Sequence, residues 1–259
     1  MLRFIIFSIF FMSLPYSVCA ADIFQLKTYQ EGYFLKTNNT KKCIAESLAE
    51  KSNTVWEFCG CESSIKYPVF TKIKDKSGQE SLNKFFLDNV VARKCEGIKA
   101  DKLPELHDRM GDNRDISFDA NFKKKNFLSI VKLFRGLNAG AAHDMYAKDG
   151  FIINLDSGEI LGVADIFGSD KERYKKLNEY IIGKLTKEEG TNYFNGSSIK
   201  DSFVSENGCD KCSFYVDSSG NLKIVFNPYI VASFAKGIVE VVVPKEFLAN
   251  KELADVLRE

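Results

Sequence analysis

Ile116-Ser117-Phe118-Asp119-Ala120-Asn121-Phe122 and, after three lysines, Asn126-Phe127-Leu128-Ser129-Ile130-Val131-Lys132-Leu133-Phe134 are the two runs that decide the fold. The first alternates apolar and polar residues, the period of a strand with one buried side. The second is apolar at both parities, which predicts a central strand covered on both faces. Further along, Phe151–Leu155 and Ile160–Phe167 flank Asp156-Ser157-Gly158-Glu159 and read as a hairpin with Gly158 at a positive φ. Ser213–Val216 and Leu222–Phe226 flank Asp217-Ser218-Ser219-Gly220-Asn221 in the same way, and Gly237–Val243 reads as a last strand before a short terminal helix from Pro244. Two helices interrupt these strands. Ser77-Gly78-Gln79-Glu80 reads as a capping box ahead of Leu82, Phe85, Phe86 and Val90, giving a helix over 78–93. Ser169-Asp170-Lys171-Glu172 repeats the pattern ahead of Tyr174, Leu177, Ile181 and Leu185. Strands grouped in hairpins with few helices predict an α+β fold of antiparallel sheets with a few packed helices.

The start of the chain carries a different signal. Arg3 precedes an apolar run from Phe4 to Leu14, too short to span a bilayer, and Val18-Cys19-Ala20 places small side chains at a cleavage position. Residues 1–20 are therefore expected to be a signal peptide, and the mature protein periplasmic or secreted. Val18 and Tyr16 stand where lipoprotein processing needs a small residue and a leucine, which disfavours a lipid anchor on Cys19. No later run approaches membrane-spanning length, so no stable membrane insertion is expected after cleavage. The formal net charge of +1 comes from basic and acidic residues spread along the chain, without the basic footprint of a nucleic-acid binder.

Six cysteines follow the cleavage position: Cys43, Cys59, Cys61, Cys95, Cys209 and Cys212. An even number in an exported chain reads as disulfides. Cys59 and Cys61 are too close to bridge each other, so they are expected to reach to Cys43 and Cys95 in an order the spacing does not fix, with Cys209 and Cys212 as a local pair. Zinc is the rival reading, weakened because the two groups lie far apart and the first is C-x-C. A redox-active Cys209-Asp210-Lys211-Cys212 lacks a following helix. Neither a metal nor another cofactor is expected.

Only His107 and His143 are present, and no metalloprotease, nucleophile-elbow, P-loop or dinucleotide motif occurs, so no catalytic residue is assigned. Carboxylate pairs for glycoside hydrolysis remain as an enzyme alternative. Two irregular stretches stand out as candidate binding loops. Gly136–Asp144 is a run of small residues ending in His143-Asp144, and Asn227–Gly237 is an aromatic and polar connection too long for a hairpin turn. His143, Asp144, Tyr229, Ser233 and Phe234 are the candidate binding residues, with the aromatics as anchors and the others as orienting polar contacts. The bland alternative is that these side chains merely complete the core.

Over roughly Tyr67 to Leu248 the chain resembles the extracellular module shared by the lysozyme-binding anti-sigma-V factor family and the non-catalytic region of peptidoglycan deacetylase C. The matching pieces are Tyr67-Pro68-Val69-Phe70, Leu82-Asn83, Leu128-Ser129-Ile130-Val131, Gly140-Ala141-Ala142-His143, Phe151–Ile160, Asp165-Ile166-Phe167, Phe226-Asn227-Pro228-Tyr229, Ala235-Lys236-Gly237 and Val241-Val242-Val243-Pro244. The resemblance implies an α+β fold in two intertwined halves, divided here as 65–147 and 148–259 behind a cysteine-rich segment over 21–64. It also implies a partner among lysozyme-like muramidases or peptidoglycan itself. The deacetylase domain of one relative and the membrane helix and cytoplasmic segment of the other have no counterpart in this sequence. A peptidoglycan-active hydrolase or deacetylase-associated enzyme is the alternative class.

Overall fold

The structure is a computed structural model that describes residues 23–37, 43–47, 59–91, 112–137, 143–187 and 213–258. Its fold is α+β, with a six-stranded and a three-stranded sheet. In chain order the elements are β1 (Phe24–Thr37), β2 (Cys43–Ser47), β3 (Cys59–Phe70), α1 (Lys76–Val91), β4 (Asp112–Lys124), β5 (Phe127–Leu137) and β6 (Met145–Asn154). Then follow α2 (Val163–Phe167), α3 (Lys171–Lys187), β7 (Ser213–Val216), β8 (Leu222–Phe226), β9 (Val239–Val242) and α4 (Lys251–Val256). The large sheet has the order β2-β1-β3-β4-β5-β6 and the small one β7-β8-β9. Every described pairing is antiparallel except β3 with β4, which is parallel because α1 lies on the connection between them.

β5 shows why the large sheet has two covered faces. Leu128 and Ile130 join Leu82 and Phe86 of α1, together with Ile65, Ile116, Phe118 and Ile153, in one core. Phe127 enters a second core built by α2, α3, α4 and the small sheet. Val131 meets Tyr215 and Val225, and the buried Ser129 hydroxyl accepts the Val216 N–H at 2.8 Å. The small sheet therefore lies over β5 and β6, with Tyr215 and Val225 facing the large sheet and Phe214, Val216, Ile224 and Phe226 facing the core beneath α3. On the α1 face the Phe86 ring is fully buried, 5.4 Å from Phe70 and Phe118 and 5.2 Å from Phe151. Tilted and edge-on pairs of this kind each contribute about 0.5–1.5 kcal/mol beyond the area they bury.

Several local expectations are corrected. Asp75, not Ser77, caps α1: its carboxylate accepts the Ser77 and Gly78 N–H groups at 3.1 and 3.2 Å, so the helix begins at Lys76. Asp170 does the same for α3 through the Glu172 N–H at 2.9 Å. Ile160–Phe167 is not a hairpin strand. Ile160 makes a single bridge to Ile153, and the chain then turns into α2, entered at Gly162 and closed by the Asp165 carboxylate on the Gly162 N–H. Gly158 does hold φ +80, but the tight spot there is its contact with Gly78 at the start of α1. The hairpin joining β7 and β8 is as expected, with Gly220 at φ +84. The last strand is shorter, Val239–Val242, and the terminal helix starts only at Lys251, capped by Asn250. Phe122 leaves the face it shares with Phe118 on a simple alternation, because a register shift between Ala120 and Phe122 turns it into the opposite core.

The division at residues 64 and 65 falls inside β3, and that at 147 and 148 falls inside β6. The signal-peptide segment 1–20 lies outside the described residues, as do Cys95, Cys209, Cys212 and His107. Cys43 opens β2, while Cys59 and Cys61 lie on β3; the side chains of these three also lie outside the described residues. Among the described residues no helix is long and apolar enough to cross a membrane.

Candidate functional site

The end of the molecule where β6 begins brings His143 and Asp144, the described end of the first irregular stretch, beside the second. Asn227-Pro228-Tyr229-Ile230 forms a tight turn closed by the Ile230 N–H on the Asn227 carbonyl at 3.1 Å. Pro228 supplies the fixed φ of the second position, and the third position takes a positive φ, where glycine is the usual residue. Tyr229 occupies that position at φ 70 and keeps half its surface exposed, 52%. Its N–H returns to the Ala232 carbonyl at 3.0 Å. A 3-10 turn, Phe234–Lys236, follows and ends at Gly237 with φ +80, beside the Tyr146 hydroxyl.

Phe234 is the centre of the cluster. The His143 ring stacks on it at 3.9 Å between centroids and 24° between planes. The ring of Tyr146, the second residue of β6, lies 5.0 Å from it between centroids, and that of Tyr229 lies 5.8 Å away. His143, Tyr229 and Phe234 are thus brought together into one aromatic ledge, with Tyr146 beneath. Asp144 is tied to Arg135 of β5 by a two-pronged ion pair at 2.5–2.6 Å, while its carbonyl meets the His143 Nδ1 at 3.1 Å. Ser233 is exposed at the foot of the 3-10 turn; its carbonyl accepts the Lys236 N–H, and its side chain does not cap the turn. The structure therefore places all five candidate residues at one end of the sheet.

Beneath the ledge, β6 is the edge of the large sheet, and two side chains satisfy its outward backbone groups. Asn227 accepts the Lys148 N–H at 2.7 Å, and the Ser213 hydroxyl bridges the N–H and carbonyl of Gly150. The Lys148 side chain then enters a charged network between the sheets. It donates to the Tyr215 hydroxyl at 2.9 Å and to Glu240 at 2.5 Å, and its ammonium sits 4.1 Å from the Tyr215 ring centre. The Tyr215 hydroxyl reaches Glu240 at 3.0 Å, and Lys223 spans Glu240 and Asp217 at 3.2 and 3.3 Å.

Burial pulls the Glu240 carboxyl upward, but the hydrogen bonds and charges of Lys148, with those of Lys223 and Tyr215, outweigh it and hold the group below its ordinary value. Burial likewise pulls Asp217 upward and is outweighed by Asn221 and Lys223. Lys148 and Lys223 are lowered by burial, yet their anionic and phenolic partners leave both raised. The Tyr215 phenol is pushed up, chiefly by burial. A network of this kind ties the two sheets together through charged and hydrogen-bonded partners. Tyr146 and this network lie outside the two loops singled out in the sequence, where Asn227 stands only as the first residue of the second; the signal for the network is the polar residue at an inward parity of each strand, Lys148 in β6, Tyr215 in β7 and Glu240 in β9. Among the described residues no three His, Cys, Asp or Glu side chains gather to hold a metal.

Glu240→Gln is expected to lower stability by about 1–2 kcal/mol, below the 3–5 kcal/mol of a fully buried pair because these side chains keep 18–25% exposure. Glu240 and Asp217 have folded values below their unfolded ones, so their stabilisation is present above about pH 4 and is lost as pH falls through the folded values. The lysines are raised, so their share is intact below about pH 10 and is lost above it. Chemical denaturation of wild type and variant from pH 2 to 7 checks this: the variant's acid limb should be shallower.

No curated protein matches the chain. Among solved structures it is similar to a member of the DUF3298 family from Bacteroides fragilis, 17% identical, with 90% of this chain and 96% of that chain covered and a TM-score of 0.56. It is also similar to a DUF3298 family protein from Pseudomonas aeruginosa PAO1, 10% identical, with 87% and 93% covered and a TM-score of 0.51. At these identities the likeness concerns the fold alone. Residues 164–246 match the family described as "Protein of unknown function (DUF3298)", a stretch that includes Tyr215, Tyr229, Ser233, Phe234 and Glu240 but not His143 or Lys148.

Proposed function

We propose that the protein is an exported cell-envelope recognition protein whose aromatic ledge binds a lysozyme-like muramidase and acts by occupancy rather than turnover. The observation that carries this is Tyr229. A non-glycine residue at positive φ costs about 1–3 kcal/mol, and such strain collects where side chains have work at a surface. The ring is half exposed, so core packing does not explain a tyrosine where glycine would sit without strain. Its neighbours supply the rest of an interface anchor: stacked His143 and Phe234 give apolar area, and the Arg135–Asp144 pair gives an orienting polar rim. The muramidase class rests on the resemblance over Tyr67–Leu248, and export rests on the N-terminal sequence.

The test is capture by the immobilised mature protein of a purified lysozyme and, in parallel, of insoluble peptidoglycan, with cell-wall zymography of the protein alone. Saturable retention of lysozyme, with inhibition of its activity at a fixed molar ratio, supports the proposal. Retention of peptidoglycan alone makes the protein a glycan binder, and release of sugars or acetate by the protein alone makes it an enzyme; either outcome overturns it.

A further inference from the structure

We propose that Asn227 is the positioning residue that presets the ledge before any partner arrives, an inference that rests on the ledge being the recognition surface. Asn227 is the first residue of the turn that holds Tyr229 at φ 70, and it anchors both of that turn's ends of contact. Its backbone carbonyl accepts the Ile230 N–H and closes the turn, while its side-chain oxygen accepts the Lys148 N–H at 2.7 Å. Lys148 is itself fixed, by pairing opposite Leu133 in the sheet and by its side chain on Glu240 and Tyr215. The strained turn is therefore bolted by one side chain to a strand that cannot shift. Without that bond the Lys148 N–H faces outward from a sheet edge unpaired, and the turn is free to relax Tyr229 to negative φ. A partner would then have to restore the conformation on binding, and that ordering lowers affinity.

The experiment compares wild type, Asn227→Ala and Asn227→Asp, the last retaining an acceptor at the same reach. Backbone amide order at Tyr229 and Phe234 is measured by 15N relaxation, melting temperature by calorimetry and lysozyme affinity by titration. The alanine variant should melt within a few degrees of wild type, while its order parameter at Tyr229 falls from about 0.85 to below about 0.6. Its affinity should fall about tenfold, as expected when a preorganised loop must be reordered on binding. The aspartate variant should restore both. If the alanine variant is not recovered, Asn227→Ser, whose side chain falls short of Lys148, takes its place with the same expectation. Unchanged order at Tyr229 in the alanine or serine variant, or equal loss in the aspartate variant, overturns the proposal. Lysozyme failing to bind wild type overturns the ledge as a muramidase site, while the order parameters still decide the role of Asn227.

Discussion

Tyr229→Gly is expected to lose about thirtyfold in partner affinity while its thermal stability stays level or rises by a few degrees. Most large-to-small changes at an aromatic cluster lose both. Here the two effects separate because they come from different parts of the residue. The side chain carries the contact, on a residue half open to a partner and with its ring centroid 5.8 Å from that of Phe234. The backbone carries the strain, since φ 70 suits glycine and not tyrosine. Glycine relieves that strain but gives back part of the gain through a freer unfolded chain, so the net stability change is small and not negative. Calorimetry and partner titration on the same sample read the two terms. A large fall in melting temperature would mean that Tyr229 is a core residue, and unchanged binding would mean that the ledge is not the site.

Gly150→Ala should destabilise the protein strongly, at about 3 kcal/mol or more. A Cβ at residue 150 would stand 2.6 Å from the Tyr215 Cβ and closer still to the Phe214 carbonyl oxygen, so β6 and β7 could not keep their approach. Overpacking normally costs about 1–3 kcal/mol because a side chain can swing away, but here the obstacle is backbone. The shift would also break the Ser213 bridge to Gly150 and pull Tyr215 off Lys148, opening the charged network. Urea denaturation of the purified variant measures the loss; a change under about 1 kcal/mol would show that the two sheets do not meet as described.

The parts of the fold legible in the sequence were those set by strict periodicity. The strand over 116–122, the apolar run of β5 and the β7–β8 hairpin all stand in the structure, although the bulge between Ala120 and Phe122 ends the simple alternation and sends Phe122 to the core opposite Phe118. What escaped has equally physical reasons. The parallel pairing of β3 with β4 depends on a long connection whose path no local pattern encodes. The long β1 and β3 strands run through a segment read only for its cysteines, whose polar residues mask strand alternation. Ile160–Phe167 has a strand-like composition, yet Gly162 and Asp165 form a helix start that outweighs it. At the site, the loops betrayed themselves by composition, so His143, Tyr229 and Phe234 could be named together. The roles of Asn227 and Tyr146 were not legible, because they come from a strand edge 79 residues away from Asn227 and from the ring and carbonyl of Phe234, 88 residues from Tyr146.

Hydrogen exchange on the mature protein with and without a saturating lysozyme tests the central claim most directly, because it locates the contact rather than merely detecting it. Slowed exchange confined to peptides covering 143–148 and 227–237, absent in Tyr229→Gly at the same lysozyme concentration, is the predicted result. Protection elsewhere on the chain with those two stretches unchanged, or no protection at all, would contradict the assignment of the ledge as the binding surface.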